Sequence, residues 1–206
     1  MSNKIEIPTE YLGNKRDQYL TNEDACMLTA CLWAKRSKDP STQVGACFVN
    51  HKGRIISVGY NGTPNGWNDD EFPWDKGSDL PPEYTKYPYV IHAEKNGIYN
   101  YDGSSTDFIG STLYVTLFPC SDCAKALVQR GIKKVIYLSD KYNNTSDNLI
   151  AKKILDTCGV EYIEYDKLNE NNLHSLSLYT SDDLNNRCKL VKKYVPKEER
   201  KNEEWC

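Results

Sequence analysis

Several things are missing from this chain of 206 residues. No run of 18 apolar residues occurs, so a membrane-spanning helix is not expected. The N-terminal stretch MSNKIEIPTEYL has no apolar core of the signal-peptide kind, and a cytoplasmic, intracellular chain is the expectation. Basic excess is also absent: the formal net charge is -3. Without a global basic field, long nucleic acid is not expected as a partner, and any polyanion site must be local. No internal repeat is found. The eight cysteines lack a secretory context and are expected to stay reduced. Only one Cys-x-x-Cys occurs, Cys120 with Cys123. A closed structural zinc site built from two such pairs is therefore excluded.

What is present is 39% hydrophobic sequence, enough for one core under a polar surface. Thr21 stands three residues before Asp24, which reads as a capping box. Ala25, Leu28, Cys31 and Leu32 follow at helical spacing, for a helix of about four turns. VGACFVN and RIISVGYN, separated by HKG, read as a hairpin. Residues 61–89 are rich in Gly, Pro and Asp without periodicity. Their aromatic residues favour a packed loop over a linker. A helix is predicted from His92 to about Tyr101, a strand over 111–118, and a helix from Ser121 closed by Gly131. KKVIYLS, DNLIAKKILDTCG and VEYIEY then read as strand, helix and strand. The alternation predicts an α/β fold: a single mixed sheet of about five strands with helices on both faces. The expected organisation is an N-terminal segment 1–18, a catalytic domain 19–165 and a C-terminal extension 166–206.

Cys120 and Cys123 fall where a strand turns into a helix. Residues i and i+3 of a first helical turn share a face, so both sulfurs can reach one ion. The free N–H groups and dipole of the helix start favour thiolate there. The helix opening at His92 is expected to start on the same side of the sheet, which makes His92 the third ligand. Three protein ligands leave one position open, the pattern of a catalytic zinc. Glu94 lies near enough to take a proton from water activated at that position. Taken alone, the cysteine pair reads equally as a redox or structural site. Cys26, Cys31 and Cys47 sit in apolar contexts and read as core. His51 and His174 receive no role.

HAE at 92–94 followed by PCSDC at 119–123 is similar to the signature of zinc deaminases acting on nucleobases. A wider set of stretches, RSKDPSTQVGACFVN, GYNGTPNG, KYPYVIHAEKN, LYVTLFPCSDCAKALVQRGIKKVIY and SDKY, resembles the deoxycytidylate (dCMP) deaminase family over roughly residues 19–165. That resemblance implies a cytidine deaminase-like fold and zinc-dependent hydrolysis of dCMP to dUMP and ammonia, feeding thymidylate synthesis. It further implies a homohexamer activated by dCTP and inhibited by dTTP, with Mg2+ accompanying the triphosphate. By the same resemblance Asn61 contacts the nucleotide, the Ala93 backbone N–H binds the pyrimidine carbonyl, and Asn61, Gly62 and Thr63 belong to the effector site. The plain alternative for Asn61 is a turn residue, since Asn-Gly is a strong turn signal.

For the substrate phosphate, Lys141 and Tyr142 stand at the end of the fourth strand, where ligands sit in open α/β sheets. Arg36 and Lys38, after the first helix, are weaker candidates that can equally complement its C-terminus. The segment HAEKNGI departs at Lys95 and Gly97 from the HAELNAI common in the family. Two other functions compete with this one: a deaminase of polynucleotides, which wants a basic groove, and a catalytically silent effector-binding subunit, against which the intact His92, Glu94, Cys120 and Cys123 speak.

Overall fold

The computed structural model describes residues 8–9, 12–15, 19–77 and 79–168. The expected N-terminal segment lies mostly outside these residues, and the C-terminal extension almost entirely so. α1 spans Asn22–Ala34, and Thr21 with Asp24 forms the expected capping box. β1 (Gly45–Val49) and β2 (Ile55–Tyr60) form the hairpin, pairing antiparallel. α2 is Ala93–Tyr99, β3 is Thr112–Val115 and α3 is Ser121–Gln129. β4 (Lys134–Tyr137), α4 (Ser146–Thr157), β5 (Glu161–Glu164) and the short α5 (Tyr165–Leu168) complete the described chain. Gly131 and Gly159, just past α3 and α4, have φ of 77° and 65°, the left-handed C-terminal position that glycine fills without strain.

The five strands form one mixed sheet in the order β2-β1-β3-β4-β5. β1 is antiparallel to both neighbours, whereas β3, β4 and β5 run parallel. Period-two alternation divides the strand side chains between two cores. Ala46, Phe48, Leu113, Val115, Val135 and Tyr137 face α2, α3 and α4. Cys47, Val49, Tyr114 and Ile136 face α1, through Cys26, Met27 and Ala30. Helices thus cover both faces, and Cys26 and Cys47 are core residues as expected, with Cys31 partly buried beside them. Tyr165 closes the second core, 2% exposed, its hydroxyl donating to the Asp24 carboxylate. Tyr165 opens α5 and does not end the last strand, which stops at Glu164. No helix among the described residues is long and apolar enough to cross a membrane.

Register decides where the loops meet. Gly45 pairs with Tyr60, and Ala46 with Val115. The start of β1, the end of β2 and the end of β3 therefore lie side by side. The chain leaves this edge at Gly62 and returns at Ile91, where the two residues form an isolated antiparallel bridge with N···O distances of 3.0 and 2.9 Å. The intervening loop is packed, as its composition suggested: Trp67 meets Phe72 and Tyr89 at ring distances of 5.2 Å, and Phe72 meets Trp74 at 4.6 Å.

The departure at Gly97 has a steric reason. A Cβ there would lie 2.6 Å from the Phe48 ring, and one on Gly59 would lie 2.2 Å from the Ala93 carbonyl and 2.5 Å from the Gly97 nitrogen. The paired glycines let α2 lie directly on β2. Gly59→Ala is accordingly expected to cost about 1–3 kcal/mol, the range for overpacking a tight contact. Equilibrium urea unfolding measures it, and an unchanged midpoint would show that α2 can retreat freely.

Candidate metal centre and its cavity

Two helix starts carry the centre. His92 is the N-cap of α2, with extended backbone and no capping hydrogen bond from its side chain. Its imidazole is therefore free to turn outward. Cys120 is the N-cap of α3, its sulfur accepting from the Cys123 backbone N–H at 3.4 Å. Cys123, three residues on, shares that face of the first turn. His92 Nδ1 lies 3.3 Å from Cys120 Sγ and 3.5 Å from Cys123 Sγ, and the three ligand atoms lie within 4.8 Å of one another.

Tetrahedral zinc has Zn–S near 2.3 Å and Zn–N of about 2.0–2.1 Å, which puts S···N edges at roughly 3.5–3.6 Å. The triangle fits that ion. The donor set fits as well: two sulfurs and one imidazole, with a fourth position left over. Nδ1 is the nitrogen turned to the sulfurs, so the neutral ring carries its proton on Nε2.

Electrostatics inside the triangle are strongly coupled. The hydrogen bond from Cys123, then the adjacent His92, holds the Cys120 thiol down at about 4. The hydrogen bond with Cys120, then burial, pushes the Cys123 thiol far up. Bonding to Cys120 raises His92 to about 9. Zinc takes the two sulfurs as thiolates and the imidazole as the neutral ring, so its binding is accompanied by proton release. Glu94, 3% exposed, is pushed above the ordinary carboxylate range chiefly by burial, with His92 pulling the other way. Lys95 and Asp122 pair across the two helix starts, so the lysine that departs from the family pattern bolts α2 to α3 next to the ligands.

The triangle opens into a cavity of about 450 Å3 whose wall includes Asn61, Ala93, Glu94, Tyr142, Lys76 and Lys86. Asn61 is 6% exposed. Its Oδ1 accepts from the Val44 N–H at 2.8 Å, and its Nδ2 donates to the Thr42 carbonyl at 2.9 Å. Tyr142 lines this cavity; Lys141 does not, but its Nζ donates to Oγ1 of Thr42, a wall residue, at 3.1 Å.

Arg36 and Lys38 are not brought here. They line a second, larger cavity of about 980 Å3, together with Gly62, Thr63, Trp67 and Tyr60. Lys38 pairs there with Asp69, and the Arg36 guanidinium lies 5.7 Å from the Tyr60 ring centre. The cause is the direction of α1, which delivers its C-terminal residues beside β2 and away from the ends of β3 and β4. Of the three predicted effector residues, Gly62 and Thr63 face the larger cavity, whereas Asn61 belongs to the wall of the smaller one.

Sequence reading missed Lys76, Lys86, Asp39 and Asp147, all of which line the smaller cavity. Asp147 accepts from the Ser121 backbone N–H and hydroxyl at 3.1 and 2.5 Å, fixing the start of α3. The acid at the start of α4 was a visible signal for Asp147. Nothing local marks Lys86.

Comparison with known proteins bears on this geometry. The family model of the cytidine and deoxycytidylate deaminase zinc-binding region matches residues 20–139. The chain is 47% identical to the deoxycytidylate deaminase of Homo sapiens over 157 residues, covering 76% of this chain and 86% of the relative. It is 34% identical to the deoxycytidylate deaminase of Enterobacteria phage T2, over 70% of this chain and 92% of that one. Among solved structures, the dCMP deaminase of cyanophage S-TIM5 in complex with dCMP and dUMP aligns with TM-score 0.55 and 32% identity, over 69% of this chain and 95% of that one.

Proposed function

The chain belongs to the cytidine and deoxycytidylate deaminase family, and from that premise we propose that it hydrolyses dCMP to dUMP and ammonia. The observation that carries the reading is the ligand triangle with a buried carboxylate in the wall of the same cavity. Zinc held by His92, Cys120 and Cys123 would supply a Lewis acid and a water acidified toward neutrality.

Glu94 takes the proton from the attacking water and delivers it to N3 of the pyrimidine. It then moves the second proton to the leaving amine at C4. Its place in the wall of the ligand cavity suits this task, since a positioned carboxyl can both accept and return a proton. The Ala93 N–H, one of the free donors of the α2 start, is assigned to the pyrimidine carbonyl. Asn61 is assigned to the nucleotide through the second lone pair of its Oδ1, since Thr42 and Asp39 take both Nδ2 hydrogens and Val44 the first lone pair. Lys141 and Tyr142 receive the phosphate end, with Lys76 as a further cation on that wall. No such support exists for Arg36 and Lys38 as phosphate ligands.

The larger cavity supports a nucleotide effector site. Aromatic faces at Trp33, Tyr60 and Trp67 offer stacking, and Arg36 and Lys38 offer cations for a triphosphate. Activation by dCTP with Mg2+ and inhibition by dTTP fit this arrangement. The exposed apolar residues Leu32, Ile109, Leu149 and Ile150 support self-association, for which a homohexamer is proposed. A cytoplasmic role in supplying dUMP for thymidylate synthesis completes the reading.

The test is ammonia release from dCMP, with single-stranded DNA as the alternative substrate. Turnover of dCMP alone is expected, with sigmoidal kinetics that become hyperbolic with dCTP and Mg2+. Asn61→Ala is expected to weaken turnover and effector response together. A wild-type curve already hyperbolic, and indifferent to dTTP, would mean that the chemistry is kept and the switch is lost.

A further inference from the structure

Asp39 and Lys86 are 3% and 5% exposed. The Lys86 ammonium lies 2.7 Å from Asp39 Oδ1 and 2.5 Å from Oδ2. Oδ1 also accepts from the backbone N–H groups of Ser41 and Thr42, at 2.8 and 3.2 Å. Burial pulls the Asp39 pKa upward, and Lys86 with those two N–H groups lowers it by more. A buried ion pair is a poor way to gain stability, since desolvation offsets much of the attraction and an apolar pair serves as well. Its retention calls for a geometric reason.

The reason lies in what the pair joins. Oδ2 of Asp39 accepts from Asn61 Nδ2 at 3.3 Å. With the Thr42 carbonyl also accepting from Nδ2, and the Val44 N–H donating to Oδ1, the Asn61 amide has one permitted orientation. Lys86 comes from the far limb of the 62–91 loop. Its own N–H donates to the Asp75 carbonyl at 3.0 Å, and its carbonyl accepts from Tyr89 and Val90 at 3.1 and 2.9 Å. The limb it anchors runs directly into His92. Asp39, Asn61 and Lys86 share the cavity wall with His92 and Glu94.

We propose that the Asp39–Lys86 ion pair is a positioning device. It fixes the Asn61 amide and the returning limb of the loop against one wall of the cavity, and it sets nucleotide affinity more than the rate of the chemical step. Neither residue exchanges protons with the substrate. Only the kinetic part of the test rests on the dCMP reading.

The experiment uses the full zinc-loaded chain and the double variant Asp39→Asn/Lys86→Gln. The substituted pair is neutral and its amides can bond to each other, so no buried charge is left unpaired. If the new amide at position 39 keeps its oxygen toward Ser41 and Thr42, its NH2 faces the NH2 of Asn61, and the orientation of Asn61 is released. KM for dCMP is expected to rise roughly tenfold, the loss of about one good hydrogen bond, with kcat changing much less. Hydrogen exchange at the Val44 amide, which bonds Asn61 Oδ1, is expected to quicken about tenfold, while amides between β3 and β4 keep their protection. Should the double variant not fold, Asp39→Asn alone carries the same two measurements, because it is the change at Asp39 that removes the acceptor of Asn61 Nδ2.

Wild-type KM with unchanged Val44 exchange would overturn the proposal. So would a joint fall of kcat and KM-normalised rate with faster exchange throughout the sheet, which marks a purely structural pair. If the wild type itself does not act on dCMP, the proposed function fails, and Val44 exchange alone decides the role of the pair.

Discussion

Glu94→Gln is expected to leave zinc bound and to lower dCMP turnover by about 10²–10⁴-fold, the usual worth of a positioned acid–base group. The substitution removes no metal ligand. Glu94 is 3% exposed, and burial already penalises its charged form. Replacing it by a neutral group of the same shape should not unfold the protein. The loss is therefore expected in kcat, with KM for dCMP changing much less. Elemental analysis for zinc, a melting curve and steady-state ammonia release check the three parts separately. A variant with intact zinc and a near-wild-type rate would remove Glu94 from the role of proton shuttle and leave the polar cavity wall without an assigned base.

Cys123→Ser is expected to abolish stable metal binding and, with it, activity. Cys123 is fully buried at the third position of α3, with its sulfur 3.5 Å from His92 Nδ1. A hydroxyl there is a poor ligand for zinc, because it does not ionise near neutral pH as a thiol at a helix start can. Losing a direct ligand should cost more than the roughly 10–100-fold in affinity seen when an outer partner is removed. The wild type is expected to carry one zinc per chain, in keeping with the single His/Cys/Cys cluster among the described residues. After dialysis against a mild chelator, the variant should hold none and show no ammonia release until excess zinc is restored. Stoichiometric zinc and full activity in the variant, or two equivalents in the wild type, would refute this ligand set. Both experiments bear on the same centre but fail differently: loss of Glu94 separates catalysis from metal content, whereas loss of Cys123 removes both.

The departure at Lys95 shows how far a local pattern reaches. In the sequence it is only a lysine where the family commonly has leucine. In the folded chain it pairs with Asp122 of the next helix, and a position with an apolar habit becomes a tie between the two ligand-bearing turns. Such an exposed pair contributes modestly to stability. Its significance is that it acts on the relative placement of His92 and Cys123, which no periodicity encodes.

What the sequence by itself determined was whatever depends on neighbours along the chain. Thr21 and Asp24 cap α1 because a side chain three residues away reaches the free N–H groups. Cys120 and Cys123 point one way because i and i+3 share a helical face. The sheet could be read because alternating strand and helix patterns leave few topologies open. The tertiary structure decided what depends on where separate elements return. Arg36 and Lys38 follow the direction of α1 to the larger cavity, although their place after the first helix suited either a phosphate or the helix C-terminus. Asn61 gives up its amide to Val44 and Thr42, whereas Asn-Gly announced only a turn. Asp39 meets Lys86 across 47 positions of chain. The Gly62–Ile91 bridge closes the loop and so brings the lysine back to the aspartate. Local signals are fixed by backbone geometry within one turn, whereas such a long-range pair exists only once the register of β1, β2 and β3 has set the two ends of that loop side by side.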